Sequence, residues 1–477
     1  MDATDPATGE QLDSYEEHTE REVDEALEQA CGASEDWRER PMRDRERLLE
    51  SAAEVLRDTK REYAETMTRE MGKPITQAVA EIEKCARCCD HYAEHASAYL
   101  GADRHSSPPG SDAKTVYEPL GPVLAVMPWN FPFWQVFRFA APSLAAGNVG
   151  LLKHASNVPG CALAIEEVFH KAGSPEGAFQ SLLIPSDRVE SVLADDRVRA
   201  ATVTGSGPAG RAVAAAAGDH LKKTVLELGG SDPFVVLDDA DVAAAAETGA
   251  WARNQNGGQS CIAAKRFVVH TDVYDEFLDR FVNEFESLVV GAPMDEDSDL
   301  GPQASSESLS DLHEQVTASV DAGATLVTGG EPLDREGAFY PPTILTDVPN
   351  GCPVDSEETF GPVAAVYEVN HEASAVELAN DTEFGLGASV WTDDRDRGER
   401  VASRIDAGCV YVNQLVKSDP RVPFGGINDS GYGRELAGDG IREFVNRKTI
   451  WVQHGLGEGD DPGADGSTDR DGRDAVE

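Results

Sequence analysis

Short runs of β-branched residues alternate with helical stretches through most of this chain, and this alternation limits the fold more than any other feature. VGLLKHA, AATVTGS, TVLELGG, PFVVLDD and RFVVHTD read as strands, as do ATLVTGG and AAVYEVN further on. ALAIEEVFHKAG and AGRAVAAAAGDHL, which lie among them, have helical patterns. Strands separated by helices are typical of βαβ units. The sequence therefore predicts an α/β protein with mostly parallel sheets, and a length of 477 residues predicts two or three domains.

The two ends of the chain differ from this pattern. Residues 14–100 carry apolar side chains at three- and four-residue spacing, which predicts a helix-rich start. Residues 455–477 contain eight acidic residues and almost no apolar ones. We therefore expect a disordered acidic tail at the C-terminus.

Acidic residues outnumber basic residues by 87 to 41, which gives a formal net charge of −46. A surface with this charge repels nucleic acid and anionic membranes, so neither is an expected partner. No apolar run is long enough to cross a bilayer, and the first residues lack the apolar segment of a secretory signal. We therefore expect a cytoplasmic protein. Because molar salt shortens the Debye length to about 3 Å and weakens self-repulsion, the charge also favours a halophilic source.

Eight cysteines occur in a chain without signs of export, so a disulfide scaffold is not expected. Cys85, Cys88 and Cys89 share one amphipathic helical stretch with His91. One helix does not readily supply four tetrahedral ligands to zinc. We therefore expect these cysteines to pack in the core, and we predict no metal site.

Two motifs contain residues suited to covalent catalysis. Cys261 follows a glycine pair in NQNGGQSCIAAKR and is a candidate nucleophile, with a buried inert cysteine as the alternative. Glu227 ends a strand before a glycine pair in LELGG and is a candidate acid with a raised pKa, with a salt-bridged carboxylate as the alternative. No histidine stands at a recognisable spacing from Cys261, which disfavours a papain-like hydrolase.

Two further motifs suit the binding of negative charge. Asn130 lies in the apolar segment MPWNFP, where its amide is a candidate donor to an oxyanion or a turn-forming side chain. VTGSGPAGR places Gly205, Ser206 and Gly210 between a strand and an Ala-rich helix, which suits phosphate binding at the N-terminus of that helix. Each motif taken alone is a weak signal.

Taken together and in this order, the motifs resemble the aldehyde dehydrogenase superfamily. MPWNFP, LLKHAS, VTGSGPAG, LELGGSDP, GGQSC, EETFGPV and PFGGINDSGYGRE carry the resemblance, which runs from DPATGE near the start to NRKTIWV near residue 450. LLKHASN, LELGGSDPFVVL and CIAAKRF are most similar to bacterial succinate-semialdehyde dehydrogenases. The resemblance implies an aldehyde dehydrogenase-like fold with a Rossmann-like cofactor domain, an α/β catalytic domain and a small oligomerisation sheet.

The same resemblance implies the division of the chain into domains. A cofactor-binding domain is expected over 1–100 and 120–229, and a catalytic domain over 230–427. Bridging strands are expected in 101–119 and 428–454. Because such strands pair between subunits in this family, the resemblance also implies a homodimer or a homotetramer.

By resemblance, three residues perform the chemistry. The thiolate of Cys261 attacks the carbonyl carbon of the aldehyde, and Asn130 holds the resulting oxyanion together with the N–H group of Cys261. A hydride passes to a nicotinamide cofactor and leaves a thioester, which is hydrolysed by a water that Glu227 activates.

The resemblance also implies the cofactor contacts, which are Trp129, Lys153, Gly205, Ser206, Gly210, Glu358 and Phe360. Many NAD-preferring members have a glutamate three residues after the lysine, where this chain has Ser156. A carboxylate there would repel the 2′-phosphate of NADP, and serine does not. NADP is therefore the favoured cofactor, with NAD as the alternative.

For the substrate, Arg138 matches the arginine that binds the distal carboxylate in succinate-semialdehyde dehydrogenases. The alternative is that Arg138 pairs with an acidic residue elsewhere in the chain. Many of those enzymes have a second arginine where this chain has Gln255. Gln255, Ser418 and Arg421 are therefore candidates for the missing donors.

The expected activity is the NAD(P)-dependent oxidation of a short carboxylated aldehyde, with succinate semialdehyde as the favoured substrate. The first alternative is the same chemistry on an uncharged aldehyde. A CoA-acylating enzyme is disfavoured, because such enzymes dispense with the general base that Glu227 represents. A non-catalytic binding or structural protein on this fold is the alternative from another class.

Overall fold

The computed structural model describes residues 1–454, and the predicted acidic tail 455–477 lies outside the described residues. The strands are β1 (Asp2–Thr4), β2 (Gln11–Ser14), β3 (Asp103–His105), β4 (Ser111–Pro119), β5 (Pro122–Met127), β6 (Val149–His154), β7 (Phe179–Ser181), β8 (Ala200–Thr204), β9 (Lys223–Glu227), β10 (Asp232–Val236), β11 (Ala264–His270), β12 (Thr325–Thr328), β13 (Thr343–Thr346), β14 (Val363–Val369), β15 (Gly387–Trp391), β16 (Cys409–Val412), β17 (Gly431–Tyr432) and β18 (Val445–Gln453).

Fifteen α-helices accompany these strands in the described residues. They are α1 (Glu20–Glu39), α2 (Met42–Asp58), α3 (Lys60–Met71), α4 (Ile75–Tyr99), α5 (Pro132–Ala146), α6 (Pro159–Lys171), α7 (Val189–Ala194), α8 (Gly207–Asp219), α9 (Val242–Asn254), α10 (Thr271–Ser287), α11 (Ser306–Asp321), α12 (Pro353–Ser356), α13 (Glu372–Asn380), α14 (Arg395–Ala402) and α15 (Ala437–Ile441).

The first large sheet has six strands in the order β17-β9-β8-β5-β6-β7. All neighbouring pairs are parallel except β17 with β9. The chain runs outward from β5 through β6 and β7 and then returns to the other side of β5 with β8 and β9. Such a reversal opens a crevice at the carboxyl ends of the central strands, which is where open α/β sheets bind ligands.

The second large sheet has seven strands in the order β12-β13-β14-β11-β10-β15-β16. Its pairs are parallel except β12 with β13. The central strands β10 and β15 are buried along their whole length. This burial explains their almost purely apolar sequences, since helices cover both faces of a parallel sheet.

Two small antiparallel sheets complete the fold. One joins β1 to β2, and the other has the order β18-β4-β3. Of the predicted bridging segment 428–454, β18 lies in the three-stranded sheet, whereas β17 pairs with β9 of the six-stranded sheet. The segment therefore contributes to two sheets rather than to one.

The prediction of a mixed α/β fold with mostly parallel sheets is confirmed. The seven predicted strands correspond to β6, β8, β9, β10, β11, β12 and β14, and the helix-rich start corresponds to α1–α4. Cys85, Cys88 and Cys89 are fully buried in the core on α4. Residues 1–454 contain no cluster of side chains placed to hold a metal ion, and no helix in this range is long and apolar enough to cross a membrane.

A buried carboxylate fixes the start of α5, which follows the loop carrying Asn130. The helix opens with Pro132, whose fixed φ suits a first helical turn. On α4, Oε1 of Glu81 accepts hydrogen bonds from the N–H groups of Phe133 (3.0 Å) and Trp134 (2.9 Å). Lys73 forms a buried ion pair with the other oxygen. Glu81 thus caps α5 with charge from a neighbouring helix.

Candidate active site

Loops at the carboxyl ends of β5, β8 and β9 meet at the crevice of the six-stranded sheet. Trp129 and Asn130 follow β5, Gly205 and Ser206 follow β8, and Gly229 follows β9. All five residues line one cavity of about 270 Å³. The sequence motifs that contain them are far apart in the chain, and the strand order brings them together.

The opposite wall of this cavity comes from loops at the amino ends of strands in the seven-stranded sheet. Cys261 precedes β11, while Glu358 and Phe360 precede β14. The rings of Phe360 and Trp129 meet edge to face, with centroids 5.7 Å apart. The carboxyl ends of one sheet therefore face the amino ends of the other across the cavity.

The loop before Cys261 has an unusual backbone that is fixed by close packing. Asn256, Gly257 and Gly258 all have positive φ values, of 55°, 62° and 73°. A β-carbon on Gly258 would lie 2.3 Å from the carbonyl carbon of Gly361, so this position requires glycine. The glycine pair thus lets the thiol loop lie directly against the loop that carries Phe360.

Two buried cations hold this loop through backbone carbonyls. Arg253 donates to the carbonyl of Gly258 (2.7 Å) and to that of Gly361. Lys265 donates to the carbonyls of Ser260 (3.1 Å) and Cys261 (2.8 Å). Burial lowers the pKa of Arg253 to about 9. Arg253, which lies close to Gln255 in the sequence, is therefore a structural residue rather than a donor to substrate.

Cys261 lines the cavity with its thiol in the protonated form. Burial raises its pKa to about 12, against the opposing influence of Arg138 and Lys265. A thiolate is the reactive form of cysteine. The thiol therefore has to lose its proton as it attacks, and any positive charge brought into the cavity favours that loss.

The amide of Asn130 reaches the thiol loop directly. Its side-chain Nδ2 donates to the backbone carbonyl of Gln259 (3.1 Å), while the backbone carbonyl of Asn130 accepts from Nδ2 of Asn256 (2.7 Å). One Nδ2 hydrogen remains for another acceptor, because a side-chain amide carries two. Asn130 and Cys261 line the same cavity, so the structure brings these two residues to one site.

Glu227, unlike Cys261 and Asn130, does not line the first cavity. Its side chain is only 2% exposed, and a β-carbon on Gly425 would lie 2.5 Å from its Oε1. Burial and the neighbouring Glu435 raise the pKa of Glu227 well above its usual range, and Arg138 opposes them. Leu228 and Gly229, which follow Glu227 in the chain, do line this cavity. The raised pKa favours the protonated form of the carboxyl.

Arg138 forms a buried ion pair with Glu435 and donates to the hydroxyl of Thr204 (3.3 Å). Its guanidinium also lies 5.0 Å from the ring centroid of Phe424. The sequence analysis expected Arg138 to bind the substrate carboxylate, with an acidic partner in the chain as the alternative. The structure places that acidic partner at Glu435.

A second, smaller cavity of about 70 Å³ opens on the other side of Cys261. Gln135 and Cys261 line both cavities, so the thiol lies at their junction. Gln255, Ser418 and Arg138 line the second cavity. Arg421 does not, since its side chain is 75% exposed and pairs with Asp419 at 2.7 Å.

Residues near the carboxyl ends of β6 and β8, the two neighbours of β5, fit a dinucleotide cofactor. Lys153 is buried, and its Nζ lies 3.4 Å from Oγ of Ser186. Burial lowers the pKa of Lys153, which indicates a cation that gains from an anionic ligand. No backbone N–H group at the start of α8 donates to the side chain of the N-cap residue, Ser206. Free N–H groups at a helix start suit a pyrophosphate.

Two predicted cofactor residues are placed differently from the rest. A β-carbon on Gly210 would lie 2.5 Å from Cδ2 of Leu228, so Gly210 lets α8 pack against the end of β9. Ser156 is exposed beyond the end of β6, near Lys153. Gly210 therefore shapes the turn through packing, while Ser156 lies where solvent reaches it.

The site contains four polar residues that the sequence analysis did not single out, namely Lys84, Gln135, Lys265 and Glu435. Gln135 and Lys84 line the second cavity. Lys265 also lies 3.8 Å from Oε1 of Glu358. For Lys84 and Gln135, which lie on helices, the signal that could have found them is a lysine or glutamine among apolar residues, since such a side chain needs a polar partner.

The chain is similar to several known proteins over nearly its whole length. Succinate-semialdehyde dehydrogenase (NADP(+)) 1 of Mycobacterium tuberculosis is 49% identical over 94% of this chain and 98% of its own. The solved structure of Gox0499 is 42% identical, with a TM-score of 0.93 over 94% of this chain and 98% of its own. Succinic semialdehyde dehydrogenase from Streptococcus pyogenes, solved in complex with NADP+, is 37% identical, with a TM-score of 0.93 over 95% of this chain and all of its own. The model of the aldehyde dehydrogenase family matches residues 1–450, and the chain belongs to that family.

Proposed function

We propose that this protein oxidises succinate semialdehyde to succinate with NADP as the hydride acceptor. The observation that carries the proposal is the position of Cys261 at the junction of two cavities. One cavity suits a dinucleotide, and the other is small and lined by cations. The names of the mycobacterial and streptococcal relatives support the same activity.

In the proposed reaction, Sγ of Cys261 bonds to the carbonyl carbon of the aldehyde while the proton of the thiol passes to a water molecule. The free hydrogen of Asn130 Nδ2 and the N–H group of Cys261 donate to the oxygen as it becomes negative. The dinucleotide, when bound, supplies the hydride acceptor. Water then cleaves the thioester on Cys261 and releases the carboxylate product.

Glu227 is the proposed base for the hydrolytic step. Its carboxyl first has to lose the proton that burial favours and to turn from Gly425 past Gly229 into the first cavity. A base with a raised pKa is well matched to accepting a proton from water near neutral pH. The resting position of Glu227 leaves the cavity free until then.

For the cofactor, Lys153 and the N-terminus of α8 are the proposed anion-binding groups, and Glu358 is the proposed partner of a ribose. Glu358 is held by the N–H group of Gly230 (3.1 Å). Because Ser156 brings no negative charge near Lys153, the 2′-phosphate of NADP is tolerated. NADP is therefore the proposed cofactor rather than NAD.

The remaining organisation is also proposed from these observations. The six-stranded sheet would bind the cofactor (1–100 and 120–229), and the seven-stranded sheet would carry the nucleophile (230–427). The exposed strand β18, with Trp451 55% exposed, supports a dimer or tetramer built on the three-stranded sheet. Light scattering tests this assembly.

The acidic composition supports a cytoplasm of high salt concentration as the setting of this protein.

The decisive experiment measures NADPH formation from succinate semialdehyde and from butanal, its uncharged four-carbon counterpart. We expect a clear preference for the carboxylated aldehyde. Cys261→Ala should abolish turnover, and Asn130→Ala should lower kcat about 10²–10³-fold. Cys31→Ala, which removes a thiol from α1, is the matched control. Equal rates on both aldehydes would favour the alternative of an uncharged substrate.

A further inference from the structure

A lysine without a carboxylate partner lines the second cavity. Lys84 lies on α4, and its Nζ donates to Oγ of Ser418 (2.9 Å) and sits 3.9 Å from the ring centroid of Trp134. Within residues 1–454, no carboxylate oxygen lies within 4 Å of this ammonium group. That is unexpected in a chain with 87 acidic and 41 basic residues. Buried charges are normally paired.

The nearby charged groups are already committed elsewhere. Oxygens of Glu81, one turn earlier on α4, accept from the start of α5 and pair with Lys73. Arg138 pairs with Glu435. Neither Glu81 nor Arg138 is therefore available to balance or replace the charge of Lys84.

The charged side chains that line the second cavity are all positive. Among the described residues the lining includes three cations, Lys84, Arg138 and Lys417, and no carboxylate. Lys417 is exposed at the surface, whereas Lys84 and Arg138 are not. With Arg138 already paired, Lys84 is the half-buried cation in this lining that retains capacity for an anion.

Ser418 adds a second donor beside this ammonium group. Its Oγ accepts from Lys84 (2.9 Å) and from Nε1 of Trp134 (2.8 Å). A hydroxyl oxygen has two lone pairs, so both are used, and its proton is left to donate. Lys84 and Ser418 together thus offer at least two donors to one anionic group, as a carboxylate requires.

We propose that Lys84 and Ser418 bind the distal carboxylate of the substrate, and that Arg138 acts as a positioning residue held by Glu435. This inference rests on the proposed function and names the group that sets its substrate class. The ligand is a short aldehyde with a carboxylate at its far end. Its carbonyl would lie at Cys261 and its charge at Lys84 and Ser418, all three of which line the cavity of about 70 Å³.

The charge state of Lys84 supplies a pH signature. Burial and then Arg138 lower its pKa to about 8, while Cys85, Glu81 and Cys88 act in the opposite direction. The free enzyme therefore loses this positive charge as the pH rises through about 8. The ratio of kcat/KM for succinate semialdehyde to that for butanal should fall over the same range, because the second aldehyde has no charge to recognise.

The test compares Lys84→Met with the wild-type enzyme on both aldehydes. Loss of a hydrogen bond to a charged group should lower kcat/KM for succinate semialdehyde about 10- to 100-fold. The value for butanal should change by less than about threefold. Lys84→Arg, which keeps the charge, should recover part of the loss. Arg87→Gln removes a charge from the exposed face of the same helix and is the matched control.

Titration of succinate into the enzyme gives a readout that does not need turnover. Succinate should bind more weakly to Lys84→Met than to wild type by a similar factor. Equal losses on both aldehydes, or unchanged succinate binding, would overturn the role of Lys84. A wild-type enzyme without preference for succinate semialdehyde would instead overturn the proposed function, and the titration would still decide whether Lys84 binds a carboxylate.

Discussion

The guanidinium of Arg138 on α5 and the carboxylate of Glu435, just before α15, form an ion pair in which both side chains are at least 95% buried. Glu435 is fixed in turn by backbone hydrogen bonds with Phe424 in both directions, of 2.7 and 2.8 Å. The pair thus joins the helix that follows Asn130 to the C-terminal part of the chain. It also sets the local charge around Glu227.

Removing one member of this ion pair should lower the free energy of unfolding more than removing both members. Arg138→Met should cost about 3–5 kcal/mol of unfolding free energy, because it leaves Glu435 as an unpaired buried carboxylate. Arg138→Met combined with Glu435→Gln should recover most of that loss. Urea unfolding of the single and double variants measures both values. Additive losses in the double variant would contradict a direct pair.

Glu227 should make the protein less stable as the pH rises. Its pKa is raised in the folded state, mainly by burial, so the folded protein holds a proton that the unfolded chain releases above its ordinary pKa. The resulting stability is complete at low pH and is lost as the pH approaches the folded pKa. Glu227→Gln should therefore gain more in Tm over wild type at pH 8 than at pH 5.

The same substitution should lower the rate of aldehyde oxidation about 10²–10⁴-fold, since it removes the proposed base. Glu17→Gln, at an exposed glutamate near the N-terminus, is the control for both measurements. A gain in Tm that is independent of pH would show that Glu227 is not a protonated buried acid.

Ser156 should determine the choice between the two dinucleotides. Ser156→Glu places a negative charge near Lys153, where it would repel a 2′-phosphate. We expect kcat/KM with NADP to fall about 10- to 100-fold, with a much smaller change for NAD. Steady-state kinetics with both cofactors measures this. Ser156→Gln, which has a similar size and no charge, should leave the preference for NADP intact.

The net charge of −46 should make stability depend on salt. Raising KCl from low to molar concentration shortens the Debye length to about 3 Å and weakens repulsion among surface carboxylates. Tm from calorimetry should therefore rise with KCl. Sucrose, a neutral stabiliser, controls for general solute effects. A Tm that stays flat or falls in KCl would remove the hypothesis of a halophilic source.

Much of the fold could be predicted from the sequence because buried parallel strands leave compact apolar runs. β10 and β11 are examples, since their β-branched residues and turn signals are local. β15 and β16 were not predicted, because their short sequences resemble other buried segments. The residues that line the first cavity could be singled out through their loop motifs, because each motif follows a strand or precedes one.

The partners of buried charges could not be predicted in this way. Arg138 pairs with Glu435, and Lys84 has a hydroxyl partner in Ser418. In each case the two residues are hundreds of positions apart, so local pattern carries no information on the pairing. For the same reason, the sequence alone did not separate a substrate-binding arginine from a structural one.

The cavity lined by Cys261 and Asn130 is bounded by strand ends from two different sheets. Activity therefore depends on the contact between these two sheets. A small separation of the two sheets would move the thiol of Cys261 away from the amide of Asn130, while each sheet kept its own hydrogen bonds. We therefore expect the enzyme to lose activity on heating at a lower temperature than that at which either large sheet unfolds.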